Sequence, residues 1–245
     1  MNAARRVFAI SLLVLAAVSG SVSIGLFVLS PAGSLRLFQP HWPIAAVLCW
    51  DAFLSLLFFL QHSGMVRRSF RARLARSIRP WSYPAVYTVA SSIVLAAVAV
   101  LWQPTGRHLL VLDGLPLRIV QGVSLFAFAF FFWGAFALKG FDPFGLSPIR
   151  AHLRGWEEPR PAFVASGPYL WVRHPLYFSI LLLFWFSPDL TLDRLLFNIL
   201  WSAWIWIATR WEEQDLESDF GEAYRQYQKS VPMLIPWRKV IGARI

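Results

Sequence analysis

Residues 167–186 read GPYLWVRHPLYFSILLLFWF, residues 187–213 SPDLTLDRLLFNILWSAWIWIATRWEE, and residues 214–236 QDLESDFGEAYRQYQKSVPMLIP. An aromatic and basic approach segment leads into an apolar run that opens at Pro175. The chain turns back through Ser187-Pro188-Asp189, and a second apolar run closes on Arg210-Trp211-Glu212-Glu213. An amphipathic tail follows. Charged and ring-bearing residues thus gather at one membrane face, at both mouths of a helical hairpin.

The composition agrees with a membrane setting. Of 245 residues, 57% are hydrophobic and only 15% charged, with a mean hydropathy of +0.53 and thirteen Trp. Soluble domains carry roughly 25% charged residues. The formal charge of +10 does not indicate nucleic acid, because the basic residues sit between apolar runs, as loop arginines do in membrane proteins. A single cysteine, Cys49, excludes a disulfide within the chain.

Six apolar runs lie at about 7–30, 42–61, 84–103, 119–138, 176–187 and 192–209. A span needs about 20 residues; the fifth run is short and draws length from 169–175. Backbone exposed to lipid must be hydrogen-bonded within its own segment, so the fold class is an all-α polytopic transmembrane helix bundle of about six spans. An interfacial amphipathic helix is expected near the C-terminus. Gly20, Ser21 and Gly25 would let another helix approach closely. The first run follows Arg5-Arg6 but is too long for a signal peptide, and reads as an uncleaved span. Residues 1–138 form a four-span region, and residues 139–245 a loop, hairpin and tail.

The arginines set the orientation. With six spans, one side holds 19 of the 23 Lys and Arg, and the other only Arg36, Arg107, Arg118 and Arg194. Positive charge collects inside, so both termini are expected to be cytoplasmic.

Arg173-His174-Pro175 marks a helix start, since proline at the first helical position loses no hydrogen bond. The helix N-terminus and the Arg173 fork suit an anionic group, and His174 can orient a ligand or exchange a proton. A plain basic membrane anchor is the alternative. Glu212 and Glu213 lie about 100° apart on a helix, so one can face a pocket while the other braces an arginine such as Arg210. Asp215, Glu217 and Asp219 read as a solvated helix end. Phe220, Tyr224 and Tyr227 share a helical face that serves either as a membrane-surface anchor or as a lid of cation-binding rings. Asp51 is costly in mid-span and points into the bundle; a structural role is preferred to one lining a cavity.

RHPLY at 173–177, the apolar hairpin, the Glu pair and FGEAYRQYQKSVPMLIP at 220–236 together resemble the membrane methyltransferases related to isoprenylcysteine carboxyl methyltransferase and phospholipid methyltransferases. LQHSGMVRRSF at 60–70 and FDPFGL at 141–146 are similar to the bacterial methanethiol S-methyltransferase and NnrU-like branch, and PTGRH at 104–108 follows it more loosely. The resemblance implies S-adenosylmethionine as cofactor. It assigns Tyr169, Arg173, His174, Pro175, Glu212 and Glu213 to cofactor binding, with Tyr224 and Arg225 as lid contacts. It makes His62 the residue that faces the substrate and accepts a thiol proton, against the alternative of a histidine satisfied at a helix end. Ser179 stands where the family often has glycine, a narrower approach to the cofactor. The implied reaction needs no metal, and its partners are membrane lipids and a small or lipid-soluble methyl acceptor, here read as a thiol. A prenylcysteine carboxylate or phospholipid amine is the alternative acceptor, and a non-catalytic NnrU-like protein the alternative of another class.

Overall fold

The computed structural model describes residues 3–29, 41–138, 142–156 and 163–237. Expectations resting on Ser30, Arg36, Lys139, Phe141 or the residues after Trp237 lie outside them. The chain forms two compact units, one of 1–105 with 142–160, the other of 106–141 with 161–245.

The first unit holds α1 (Ala3–Leu29), α2 (Ile44–Val66), α3 (Arg68–Leu74), α4 (Tyr83–Leu101) and α6 (Ser147–Arg154). Ala9, Leu12 and Ala16 of α1 are buried with Ala85 of α4 and with Leu146 and Ile149. Small side chains let two helix backbones close up where lipid supplies no hydrophobic drive. The glycines expected to play this part do something else. Gly20 makes room for the ring of Phe144, which would lie 2.4 Å from an added Cβ, and no described neighbour comes within 4 Å of one at Gly25. Gly145, at φ +63°, lies against Pro84 and seats this turn on α4.

Asp51 is fully buried. Its Oδ1 accepts the backbone N–H of Gln103 at 2.9 Å, just past the end of α4. The Leu101 carbonyl accepts both Trp50 Nε1 and Gln103 Nε2, each at 2.9 Å. The last carbonyls of a helix lack intrahelical partners, and these contacts occupy that end. Asp51 thus takes the structural of its two expected roles.

The second unit holds β1 (His108–Val111), α5 (Gly114–Ala137), α7 (Pro175–Trp185), β2 (Asp189–Thr191), α8 (Leu192–Phe220) and α9 (Glu222–Ser230). α5 packs on α7 where Gly134 faces Leu176 and Pro175. Phe130 adds ring contacts to Trp171 and Phe178. Gly167, at φ +57°, brings the chain against Trp133 and Ala137 before the hairpin, a conformation and closeness that a side chain would oppose.

Among the described residues, four helices are long and apolar enough to cross a membrane: Ala3–Val28, Ile44–Val66, Pro80–Leu101 and Gly114–Ala137. With the shorter apolar α7 and the apolar first part of α8, they make an all-α membrane bundle. One detail differs from expectation. The turn after the fifth run carries a short strand, β2, paired antiparallel with β1 and closed by His108 Nδ1 and Asp189 Oδ1 at 2.8 Å. Beyond the sixth apolar run the helix continues through the Glu pair, so that α8 has 29 residues in all, about 43 Å, from Leu192 to Phe220. Gly221, at φ +59°, then turns the chain into α9.

Candidate active site

Glu213 is the centre of a buried polar cluster. Its side chain is 7% exposed, and that of its neighbour Glu212 is 45% exposed. Arg173 meets Glu213 with Nε at 2.6 Å from Oε1 and Nη2 at 3.0 Å from Oε2, the two-pronged geometry that guanidinium favours. His174 Nε2 lies 3.1 Å from Oε1, and Gln228 Nε2 donates to Oε2 at 3.3 Å. The Tyr224 hydroxyl donates to Oε1 at 3.5 Å. Burial pushes the Glu213 carboxyl up, but the hydrogen bonds from His174 and Arg173 and their charge outweigh it and hold it at about 2.

The tail closes over this cluster. Arg173 Nη1 donates to the Gln228 carbonyl at 3.0 Å and also to that of Val231. The backbone N–H groups of Arg173 and His174 donate to the carbonyls of Pro232 and Met233, at 2.9 and 3.1 Å. The Tyr227 hydroxyl donates to the Tyr169 carbonyl. Phe163 packs against Phe220, Tyr224 and Tyr227, with ring centroids 5.2–5.6 Å apart. Burial raises the phenols of Tyr224 and Tyr227 above their ordinary pKa.

The Arg173 fork, suited to a carboxylate, is taken here by that of Glu213 and by the tail carbonyls. The arginine braced by the glutamate pair is Arg173, whereas Arg210 lies over the Trp206 ring at 6.0 Å. The aromatic face of α9 is turned into protein, with Tyr224 only 2% exposed, so its rings are wall rather than anchor. Arg225 stands exposed on α9, paired with Glu222 at 3.0 Å, outside the cluster.

Glu212 is the exposed acid of the pair. Tyr177 donates to its Oε2 at 2.9 Å, and His174 Nδ1 lies 3.9 Å from the same oxygen. The His174 and Tyr177 rings stack with centroids 5.7 Å apart. Tyr169 is half-buried. Pro175 is buried at the start of α7. Ser179 is fully buried, and its hydroxyl donates to the Pro175 carbonyl one turn back, at 2.9 Å. Tyr177 and Gln228 were not among the residues singled out from sequence. A signal for Tyr177 exists, since it falls three residues after His174 on a helix whose start is marked by proline.

His62 belongs to the first unit, on α2. The Tyr87 hydroxyl lies 3.0 Å from its Nδ1 and 2.8 Å from its Nε2, and the Phe58 ring is 5.0 Å away. Gln61 beside it donates to Ser91 on α4 at 3.3 Å.

The methanethiol S-methyltransferase of Pseudomonas sp. strain GM41 is 37% identical over 208 residues, covering 83% of this chain and 78% of that protein. The chain belongs to the membrane methyltransferase family. The Mycobacterium tuberculosis methanethiol S-methyltransferase is 30% identical over 211 residues, covering 80% of each. Nurim of Rattus norvegicus is 26% identical over 200 residues, covering 76% of this chain and 74% of its own. No family model and no solved structure matches. In this membrane methyltransferase the buried cluster is a frame that ties the hairpin mouth to the tail, and Glu212 stays exposed beside it.

Proposed function

We propose that this methyltransferase uses S-adenosylmethionine and methylates a small or lipid-soluble thiol. One observation carries the cofactor reading: of two adjacent acids, Glu213 is neutralised in the protein by Arg173, while Glu212 keeps an exposed carboxylate beside two ring faces. That donor set fits a cationic, hydroxyl-bearing nucleoside. A negative charge and aromatic faces attract a cation, and carboxylate oxygens accept hydroxyl protons. Glu212, Tyr177 and Tyr169 would hold the cofactor; Arg173, His174, Pro175, Glu213 and Tyr224 keep them in place. S-adenosylmethionine, when bound, supplies a methyl group on a sulfonium cation. The chain's own work is alignment and exclusion of water.

The thiol acceptor is supported by the names of the relatives, with 30–37% identity in the two methanethiol S-methyltransferases above. A thiol with pKa near 8.5 needs help to lose its proton at neutral pH. His62 is the residue we assign to take it, with Tyr87 holding the imidazole. We place the protein in a bacterial inner membrane, from its likeness to the bacterial relatives, with both termini in the cytoplasm, from the arginine asymmetry. The test is cofactor binding by the purified protein, followed by methyl transfer to thiols, prenylcysteines and phospholipids. Transfer to thiols alone is the expected result. Absence of cofactor binding would end the reading, and transfer only to a carboxylate or an amine would replace the acceptor.

A further inference from the structure

One end of the first unit is built almost wholly of positive charge. Arg5 and Arg6 open α1; Arg68, Arg71 and Arg73 lie on α3; Arg76 and Arg79 follow it; Arg150 and Arg154 lie on α6, and all nine are exposed. Ring contacts bring these segments to the same end. Trp81, next to Arg79, meets Phe8 of α1 edge-on at 6.1 Å and stacks on His152 of α6 at 4.2 Å. The unit's described residues include two carboxylates, and each accepts a backbone N–H: Asp51 from Gln103 at 2.9 Å, Asp142 from Ser147 at 2.6 Å.

The arginines are interleaved with apolar side chains at the surface. Val66 is 46% exposed, Phe70 36% and Trp156 65%. Arg71 lies over the Tyr83 ring at 5.4 Å, and Arg154 over that of Trp156 at 5.0 Å. Every residue of α3 except Leu74 is exposed, and the helix directly follows the end of a helix long enough to span a membrane. A short, basic, ring-bearing helix at the end of a span belongs in the headgroup layer, its arginines at the phosphates and its apolar groups below them.

We propose that this arginine collar is a binding surface for anionic phospholipid headgroups. Charge complementarity selects the partner: guanidinium forks match phosphate oxygens, and a negative leaflet attracts juxtamembrane basic segments. The proposal does not depend on the cofactor reading.

The test uses the full-length protein, purified and delipidated in neutral detergent. Retention of phosphatidylglycerol and of phosphatidylcholine is compared by native mass spectrometry, with inorganic phosphate as a third arm. Phosphatidylglycerol is expected to bind at least about tenfold better than phosphatidylcholine, and Arg73→Gln/Arg76→Gln/Arg79→Gln to remove most of that preference. A charge-matched variant elsewhere, Arg118→Gln/Arg210→Gln/Lys229→Gln, is expected to keep it. Should the triple collar variant fail to fold, Arg73→Gln alone is expected to show a smaller loss of the same kind. Equal retention of both lipids by the wild type would overturn the proposal. So would an undiminished preference in the collar variants, an equal loss in the charge-matched variant, or inorganic phosphate abolishing phosphatidylglycerol binding when equimolar with it.

Discussion

Arg173 and Glu213, forty residues apart in sequence, meet as a fork on a carboxylate with contacts of 2.6 and 3.0 Å. The same guanidinium donates to the carbonyls of Gln228 and Val231. One side chain therefore joins the start of α7, the end of α8 and the tail. This pairing divides the labour of two adjacent acids: Glu213 holds the frame, and Glu212 faces outward from it.

Removing the buried acid is expected to damage the fold. Glu213→Gln leaves Arg173 charged and only 10% exposed, without its carboxylate. Breaking one side of a buried pair costs about 3–5 kcal/mol. A lowered melting temperature and proteolytic release of the tail would show this. A variant as stable as wild type, with its tail protected, would contradict the role.

Replacing the exposed acid is expected to spare the fold. Glu212→Gln keeps shape and an acceptor for Tyr177 but loses the charge. Charged hydrogen bonds are worth about 1.5–3 kcal/mol, so cofactor affinity should fall roughly ten- to a hundredfold. Calorimetry of the purified variant tests it, with melting temperature as the control. Unchanged affinity would remove Glu212 from the cofactor site.

The pairing also sets an acid limit. The Glu213 carboxyl is held at about 2, below the ordinary 4.5. A carboxyl depressed by folding stabilises the native state fully above its unfolded pKa, and that stabilisation is lost as pH falls through the folded one. Tail docking supported by Glu213 should therefore hold from neutrality to about pH 4.5 and weaken from there towards about 2. Amide exchange of residues 223–236 measures it. The stability difference between wild type and Glu213→Gln should narrow over that window; a difference that stays constant would mean Glu213 does not titrate there.

Orientation is open to a direct test. With the exposed Cys49 replaced by serine, a cysteine at Ser77 should resist an impermeant thiol reagent added to sealed cells, and one at Leu109 should react. Both positions are exposed in the fold. The reverse pattern would invert the topology.

The bundle is legible in sequence because apolar runs about twenty residues long are scarcely compatible with anything but membrane helices. The hairpin mouth is legible because proline marks where α7 begins, and the expected break at Ser187-Pro188-Asp189 does occur. What a local reading misses is set by distant chain. Glu212 and Glu213 look equivalent until residues 228–233 return and bury one of them. Arg173 looks available until tail carbonyls 55 and 58 residues away take its Nη1 donors. Tyr224 and Tyr227 share a face of α9 as their spacing indicates, whereas Phe220 ends α8 on the other side of the Gly221 turn; only Phe163, outside the helix, shows that the face is turned into protein. The β1–β2 pair joins segments 81 residues apart at His108 and Asp189, with no strand-length apolar alternation to announce it.

The thiol reading is most exposed at His62. If its imidazole takes the acceptor's proton, His62→Gln should slow methyl transfer by about 10²–10⁴-fold while leaving cofactor affinity nearly intact. Raising the pH should restore part of the rate, because the thiolate then forms without a base. Tyr87, within 2.8 Å of Nε2 and 3.0 Å of Nδ1, holds the ring. Tyr87→Phe should therefore slow transfer less than His62→Gln and change the pH profile of kcat. A fully active His62→Gln would assign the residue to helix packing. Loss of cofactor binding in that variant would give it a binding role instead. A slow variant whose rate ignores pH would point to substrate positioning rather than proton removal. A Tyr87→Phe enzyme with a wild-type profile, alongside a slow His62→Gln, would leave the base in place and show that the phenol does not orient it.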